Sequence, residues 1–180
     1  MNIIINENNL NNDEIENFST KVRALLLDGE RILVANYGNV MLLPGGSVDV
    51  NETVEQAIVR ELKEEIGVEY QFSDFEYLAT ISFYQKDYPN RNGSTSNRLI
   101  KTHYFVGPYL GIKKQKLTEK EIKDKFQLNL IPLDDIEEQT INNQNTNPRN
   151  KFFQQELLKI IEIYKTHSNS TSKQKRISKM

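Results

Sequence analysis

The sequence contains no cysteine, which removes disulfides, thiolate nucleophiles and zinc–thiolate centres from consideration. It also has no apolar run of the roughly 18 residues or more that a membrane span needs. The opening Met1-Asn-Ile-Ile-Ile-Asn-Glu7 has neither the basic region nor the long apolar segment of a secretory signal. An excess of one charge is missing too. The 23 Lys and Arg against 25 Asp and Glu leave a net charge of −2, which argues against nucleic acid as a partner held by electrostatics. A soluble cytoplasmic protein is the expectation. Its 180 residues suit one domain able to bury a core. The hydrophobic fraction is only 37%, diluted by 20 asparagines concentrated in residues 1–17 and 140–150.

What is present organises into strands and helices. Residues 1–19 are polar and acidic and read as a flexible lead-in, with Ile3-Ile4-Ile5 able to add a short edge strand. Residues 21–27 predict a strand, Asp28-Gly29 a hairpin turn and residues 31–35 the returning strand. Met41-Leu42-Leu43 is a short apolar strand that runs into Pro44-Gly45-Gly46. A helix follows, with Asn51 as N-cap and Glu52 and Glu55 in its first turn. Val54, Ala57, Ile58, Leu62 and Ile66 form its apolar stripe, leaving Glu61, Glu64 and Glu65 to one side. Strands at 75–84 and 99–106 flank a polar loop at 86–97, and another strand at 126–131 precedes Pro132. The last helix begins with Asn147 as cap and Pro148 at its first position. Phe152, Phe153, Leu157, Ile160, Ile161 and Tyr164 dock it on the core. Residues 167–180 lack apolar periodicity and read as a disordered basic tail, so the domain proper spans 20–166.

The stretch with chemical content is Gly46-Ser-Val-Asp-Val-Asn-Glu52, seven further residues, then Arg60-Glu61-Leu62-Lys63-Glu64-Glu65-Ile66-Gly67-Val68. Glu61 lies i,i+3 and i,i+4 from Glu64 and Glu65, so the carboxylates repel by a few tenths of a kcal/mol per pair. They cluster toward the helix end that Gly67 terminates, where the macrodipole is already negative. Lys63 alone is a thin supply of partners for an ordinary solvated face. A divalent cation is the natural complement, since hard ions take carboxylate, water and phosphate oxygens. Such an ion would balance the crowded carboxylates and acidify a bound water. Glu64, beside other carboxylates, would have the raised proton affinity of a base.

Written as G-x5-E-x7-R-E-U-x-E-E-x-G-U, with U aliphatic, the pattern is matched at every fixed position. At residue frequencies near 5–7%, a chance match is on the order of one in ten million. On these residues the chain resembles the Nudix hydrolase family (MutT-like), over roughly residues 20–165. The resemblance implies an α/β/α sandwich with a mixed β-sheet between helices. It also implies hydrolysis of a nucleoside diphosphate linked to another group, such as a nucleoside triphosphate or nucleotide sugar, with Mg2+ or alternatively Mn2+. By position, Glu61 and Glu65 correspond to the main metal ligands, Glu64 to a further ligand or the base, and Glu52 to a supporting member. Arg60 corresponds to the arginine that holds a box glutamate, Gly46 to a carbonyl offered to the metal, and Gly45 to a close approach of the chain to ligand. A later family glutamate would be Glu119 or Glu121.

Arg91, Arg98 and Lys101 border the polar loop as candidate phosphate contacts, with ordinary surface as the alternative. His103 reads as structural. Tyr84 stands sixteen residues past the box, where some dinucleoside polyphosphate hydrolases of the family carry a tyrosine. Two departures, Met41 for an aromatic residue and Ala35-Asn36 for a basic strand end, put substrate recognition in doubt. The expected partner is a small nucleotide, with no membrane and with homodimerisation open. Two other readings stand beside it: a nucleotide-binding regulatory module on the same fold, and an RNA 5′ pyrophosphohydrolase.

Overall fold

The structure is a computed structural model that describes residues 1–90, 92–142 and 151–177, with side chains over 152–168 of the last segment. Arg91, Asn147 and Pro148 lie outside the described residues. The described residues contain seven strands: β1 Asn2–Ile5, β2 Asn17–Asp28, β3 Arg31–Tyr37, β4 Val40–Leu42, β5 Glu76–Pro89, β6 Thr95–Pro108 and β7 Phe126–Pro132. The helices are α1 Val54–Ile66, α2 Glu119–Lys123, α3 Ile136–Asn142 and α4 Lys151–Ile177.

The strands form one mixed sheet in the order β1-β5-β6-β2-β3-β4, with β7 on β3. β2 runs parallel to β6 and β1 parallel to β5, while the remaining pairs are antiparallel. Side chains alternate across β2 with the two-residue period of a strand. Val22, Ala24 and Leu26 meet Ala57, Ile58, Leu62 and Ile66 of α1 on one face. Leu25 joins Ile136 of α3 and Leu157, Ile160 and Ile161 of α4 on the other. The result is the expected α/β/α layering. Among the described residues no helix is long and apolar enough to cross a membrane.

Several expectations need correction. The first 19 residues are not a loose lead-in: β1 sets Asn2 to Ile5 in register with Thr80 to Phe83, and Leu10 is buried. The apolar Ile3 and Ile5 reach the core, which outweighs the polar composition around them. Most of the 86–97 segment is strand, because an irregularity between Gln85 and Tyr88 lets the hairpin continue past its polar residues. α1 is capped by Thr53, not Asn51. Thr53 Oγ1 accepts from Gln56 N at 3.2 Å while Gln56 accepts from Thr53 N at 2.9 Å, a reciprocal capping box. Asn51 instead takes a left-handed φ of 66°, and Glu52 precedes the helix. α4 continues to Ile177 through residues read as tail. That stretch has no apolar periodicity in its sequence, but its Lys, Gln and Arg residues favour helix.

The end of α1 is built as carefully as its start. Gly67 adopts a φ of 76° and its N–H donates to Lys63 O at 3.0 Å. Residues 113–116 then satisfy the last carbonyls, which a helix cannot satisfy itself. Lys113 N donates to Ile66 O and Lys116 N to Glu64 O, each at 2.8 Å, and Gln115 Nε2 donates to Glu65 O at 2.6 Å. A Cβ on Gly67 would fall 2.4 Å from the Lys114 carbonyl oxygen. Gly67→Ala therefore combines left-handed strain with a backbone collision, and a loss of about 2–4 kcal/mol is expected in urea denaturation. A change below about 0.5 kcal/mol would show that this junction does not hold the helix.

Candidate active site

Residues 44–48 run along β2. Ala24 N donates to Pro44 O at 2.9 Å, Val22 N to Gly46 O at 3.0 Å, and Val48 N to Thr20 O at 3.0 Å. This pairing fixes both glycines. A Cβ on Gly45, whose φ is 129°, would lie 2.3 Å from Val22 O, and one on Gly46 would lie 2.3 Å from the carboxyl of Glu61. Glu61 is thus seated against a bare Cα. The pairing also sets the direction of two carbonyls. The Gly46 carbonyl is turned toward the Val22 N–H of the sheet, whereas the Gly45 carbonyl meets Arg23 Nη1 at 2.5 Å.

Glu65 lies on the buried side of α1, only 1% exposed, and not at the edge of the stripe. Its Oε2 accepts Gly45 N–H at 2.8 Å and its Oε1 accepts the Tyr37 hydroxyl at 2.5 Å. Burial pushes its pKa up to about 7, against the pull of Arg23, Tyr37 and the Gly45 N–H. The spacing carried this signal, since Glu65 stands seven residues after Ile58 and three after Leu62, in line with the apolar face.

Arg60 gathers the other carboxylates. Its Nε and Nη2 hold Glu52 at 2.7 and 2.8 Å, Nη1 reaches Glu61 at 3.0 Å and Glu64 at 3.4 Å, and Nη2 also donates to Ser47 O at 3.0 Å. The guanidinium holds Glu52 below the usual carboxylate range. Burial moves Glu61 the other way, with Arg60 opposing. Among the described residues no three Asp, Glu or His side chains converge as a ready metal cage; the carboxylates converge on Arg60 instead. The donor set still fits a hard divalent ion. Glu61, Glu64 and Glu65 all face the cleft, and Glu61 and Glu64 each give Arg60 one oxygen of two. Glu52 stands behind Arg60, off the cleft.

The cleft measures about 1320 Å³ and extends from the box across β2 to Tyr88 and Arg98, with Phe152 and Phe153 on one wall and Lys120, Glu121 and Lys125 on another. Glu121 reaches it while its Oε2 caps Thr118 N at 2.6 Å; Glu119 does not line it. Arg98 lines it, stacked 4.2 Å from the Tyr88 ring centroid. Lys101 lies outside, 5.8 Å from the Phe18 ring, and so does Tyr84, which donates to Asn12 Oδ1 at 2.9 Å. His103 Nδ1 pairs with Thr80 Oγ1 at 2.9 Å, a structural role. Arg23, Tyr37 and Lys21 were not singled out from the sequence. The detectable signal was Lys21 and Arg23 alternating within an otherwise apolar strand, where charges are rarely buried without a purpose.

A family model, described as the NUDIX domain, matches residues 18–152. The 8-oxo-dGTP diphosphatase of Escherichia coli (strain K12) is 42% identical over 59 residues, covering 32% of this chain and 41% of that protein. The 8-oxo-dGTP diphosphatase of Proteus vulgaris is 35% identical over 71 residues, covering 39% and 59%. The chain therefore spans less than two thirds of the length of these curated relatives. Among solved structures, the MutT protein from Methanosarcina mazei Go1 superposes with a TM-score of 0.54 at 16% identity, over 84% of this chain and 96% of that one. That likeness concerns the fold alone.

The buried carboxyl makes stability depend on pH. Glu65 moves from 4.5 to about 7 on folding, so the folded protein retains a proton that the unfolded chain releases. The associated stability is complete below about pH 4.5 and is lost as pH rises through 7. Metal-free protein is expected to lose on the order of 2–3 kcal/mol between about pH 5 and pH 8, with Glu61 acting in the same direction. Glu65→Gln should flatten that slope in urea titrations. A parent profile that is already flat would overturn the assignment.

Proposed function

The chain belongs to the Nudix family, and on that premise we propose that it hydrolyses a pyrophosphate bond in a nucleoside diphosphate linked to a further group. The observation that supports this most is the set of Glu61, Glu64 and Glu65 lining one large cleft, with Arg60, itself held by Glu52, bonded to Glu61 and Glu64. A nucleoside triphosphate is favoured over a nucleotide sugar by the matches to 8-oxo-dGTP diphosphatases.

Glu61, Glu64 and Glu65 would hold Mg2+ or Mn2+, with Glu121 as an auxiliary oxygen donor. Bound there, the ion would offset phosphate charge and lower the pKa of a coordinated water. Arg60 is a positioning residue that orients Glu61 and anchors Glu52. Glu64 is the best candidate for the base that takes the proton of the attacking water. Its side chain is 35% exposed against 13% for Glu61, and only a 3.4 Å contact restrains it. Glu65 fixes the helix to the glycine turn. Lys120 and Lys125 across the cleft suit the phosphate chain.

The test is a hydrolysis panel of nucleoside triphosphates, including 8-oxo-dGTP, and nucleotide sugars, with Mg2+ and with products identified. Glu64→Gln should lower kcat by about a hundredfold or more with an unchanged unfolding midpoint, and Glu119→Gln should have no effect. No phosphorylated product from the whole panel, or a Glu64→Gln variant as active as the parent, would sink this reading.

A further inference from the structure

The last torsion of a glutamate side chain is soft, with broad and roughly two-fold preferences, so an unrestrained carboxylate turns to suit whatever cation it meets. Glu65 is denied that freedom. Its Oε2 accepts the Gly45 N–H at 2.8 Å and its Oε1 accepts the Tyr37 hydroxyl at 2.5 Å. One donor would leave the carboxylate plane free to swing about it, whereas two donors on separate oxygens fix it. Among the described residues, Tyr37 is the one side chain hydrogen-bonded to this carboxylate. Arg23 acts on it by charge, while its Nη1 is committed to the carbonyls of Leu43 and Gly45.

Both donors are themselves held. Gly45 lies between Pro44 and Gly46, whose carbonyls accept from Ala24 and Val22 of β2. Tyr37 ends β3, where its backbone pairs with Val40 on one side and Phe126 on the other. The buried Phe126 ring meets the tyrosine ring edge-on, with centroids 5.0 Å apart and planes at 65°. Moving the hydroxyl off Glu65 therefore means breaking an aromatic contact. Tyr37 and Glu65 also line the same cleft.

Such a restraint distinguishes between hard cations. Mg2+ demands near-ideal octahedral positions at about 2.0–2.1 Å, while Ca2+ accepts more oxygens, at about 2.3–2.6 Å, and often takes both oxygens of one carboxylate. An ionised carboxylate has about four acceptor positions, and two on Glu65 are already spent, one on each oxygen. It can give one oxygen to a small ion as it stands. To turn both oxygens onto a larger ion it must release a donor. We propose that Tyr37 is a positioning residue that selects Mg2+ over Ca2+ at the box by holding Glu65 as a one-oxygen ligand. This rests on the metal-dependent hydrolase reading and names a determinant of its cofactor choice.

Metal binding can be measured apart from hydrolysis. Mn2+ uptake by the full chain is read from the loss of the free-ion EPR signal, and Mg2+ and Ca2+ affinities from their displacement of bound Mn2+. Tyr37→Phe deletes one oxygen and keeps the ring against Phe126. It should lower the Mg2+ over Ca2+ preference about tenfold, by weakening Mg2+ while Ca2+ stays within about threefold of the parent. Urea unfolding of the metal-free variant checks that the fold is retained. Where it is not, Phe126→Leu keeps the hydroxyl and removes its brace, and should lower the preference about threefold. Tyr84→Phe, which loses a hydroxyl outside the cleft, should leave all three affinities unaltered.

A preference unchanged in the folded Tyr37→Phe variant, including equal weakening of every ion, would overturn the assignment and leave Tyr37 a structural partner of Glu65. An equal fall in preference in Tyr84→Phe would overturn it too. No Mn2+ uptake by the parent at millimolar concentration would sink both this inference and the hydrolase reading. A lowered preference in a chain that hydrolyses no nucleotide would support the role of Tyr37 and sink the hydrolase reading alone.

Discussion

The burial of Glu65 governs how the rest of the site is assembled. A carboxylate removed from water is costly unless it is paired and hydrogen-bonded, and Glu65 is removed almost completely. Its partners come from three separate parts of the chain: the Gly45 N–H from the glycine turn, the Tyr37 hydroxyl from the end of β3, and the nearby guanidinium of Arg23 from β2. Arg23 in turn accounts for the carbonyls of Leu43 and Gly45, at 2.8 and 2.5 Å. One acidic side chain thus links α1, β2, β3 and the turn that seats Glu61. The raised pKa of Glu65 is the residual cost of that arrangement, and a cation arriving beside it would relieve it.

Arg60 resolves part of the electrostatic difficulty written into the helix. Three crowded glutamates near a helix C-terminus call for positive charge; Arg23 serves the buried Glu65, and Arg60 alone serves Glu61, Glu64 and Glu52. It is not enough to balance them. Glu52 takes two of its nitrogens in a bidentate contact, leaving Glu61 and Glu64 to share a third. The helix can therefore fold around its own cation while the cleft-facing oxygens still favour additional positive charge. The same geometry gives Glu52 its place: it anchors the arginine from outside the cleft and is poorly placed to meet a ligand directly.

What could be read in advance divides along the line between local and nonlocal information. The box follows from spacing within a few turns of chain, the layered fold was read through the family resemblance that the box carries, and the α/β/α arrangement matches. Glu65 was legible as a box member, but it was set to one side of the apolar stripe and its burial went unread, although its register with Ile58 and Leu62 carried that signal. Tyr37 and Arg23 were not, because their meaning depends on Glu65 lying within reach across the sheet. The orientation of the Gly46 carbonyl depended in the same way on residues 44–48 pairing with β2. Composition misled at both ends, since Ile3 and Ile5 needed only a strand edge to become structured and α4 needed only helix propensity to continue.

The cleft is electrically polarised, and that polarity bears on how a nucleotide could lie in it. Carboxylates of the box occupy one end, Arg23 and Lys21 follow along β2, and Arg98 stacks on Tyr88 at the far end. From the Arg23 row to the row of Asn17 and Arg98 is six residues of β2, about 20 Å at strand rise. A phosphate chain is repelled by the acidic end unless a cation screens it, while a neutral base gains nothing from that end. Placing phosphates at the box and the base toward Lys21 and Phe153 satisfies both conditions, and the reverse orientation satisfies neither.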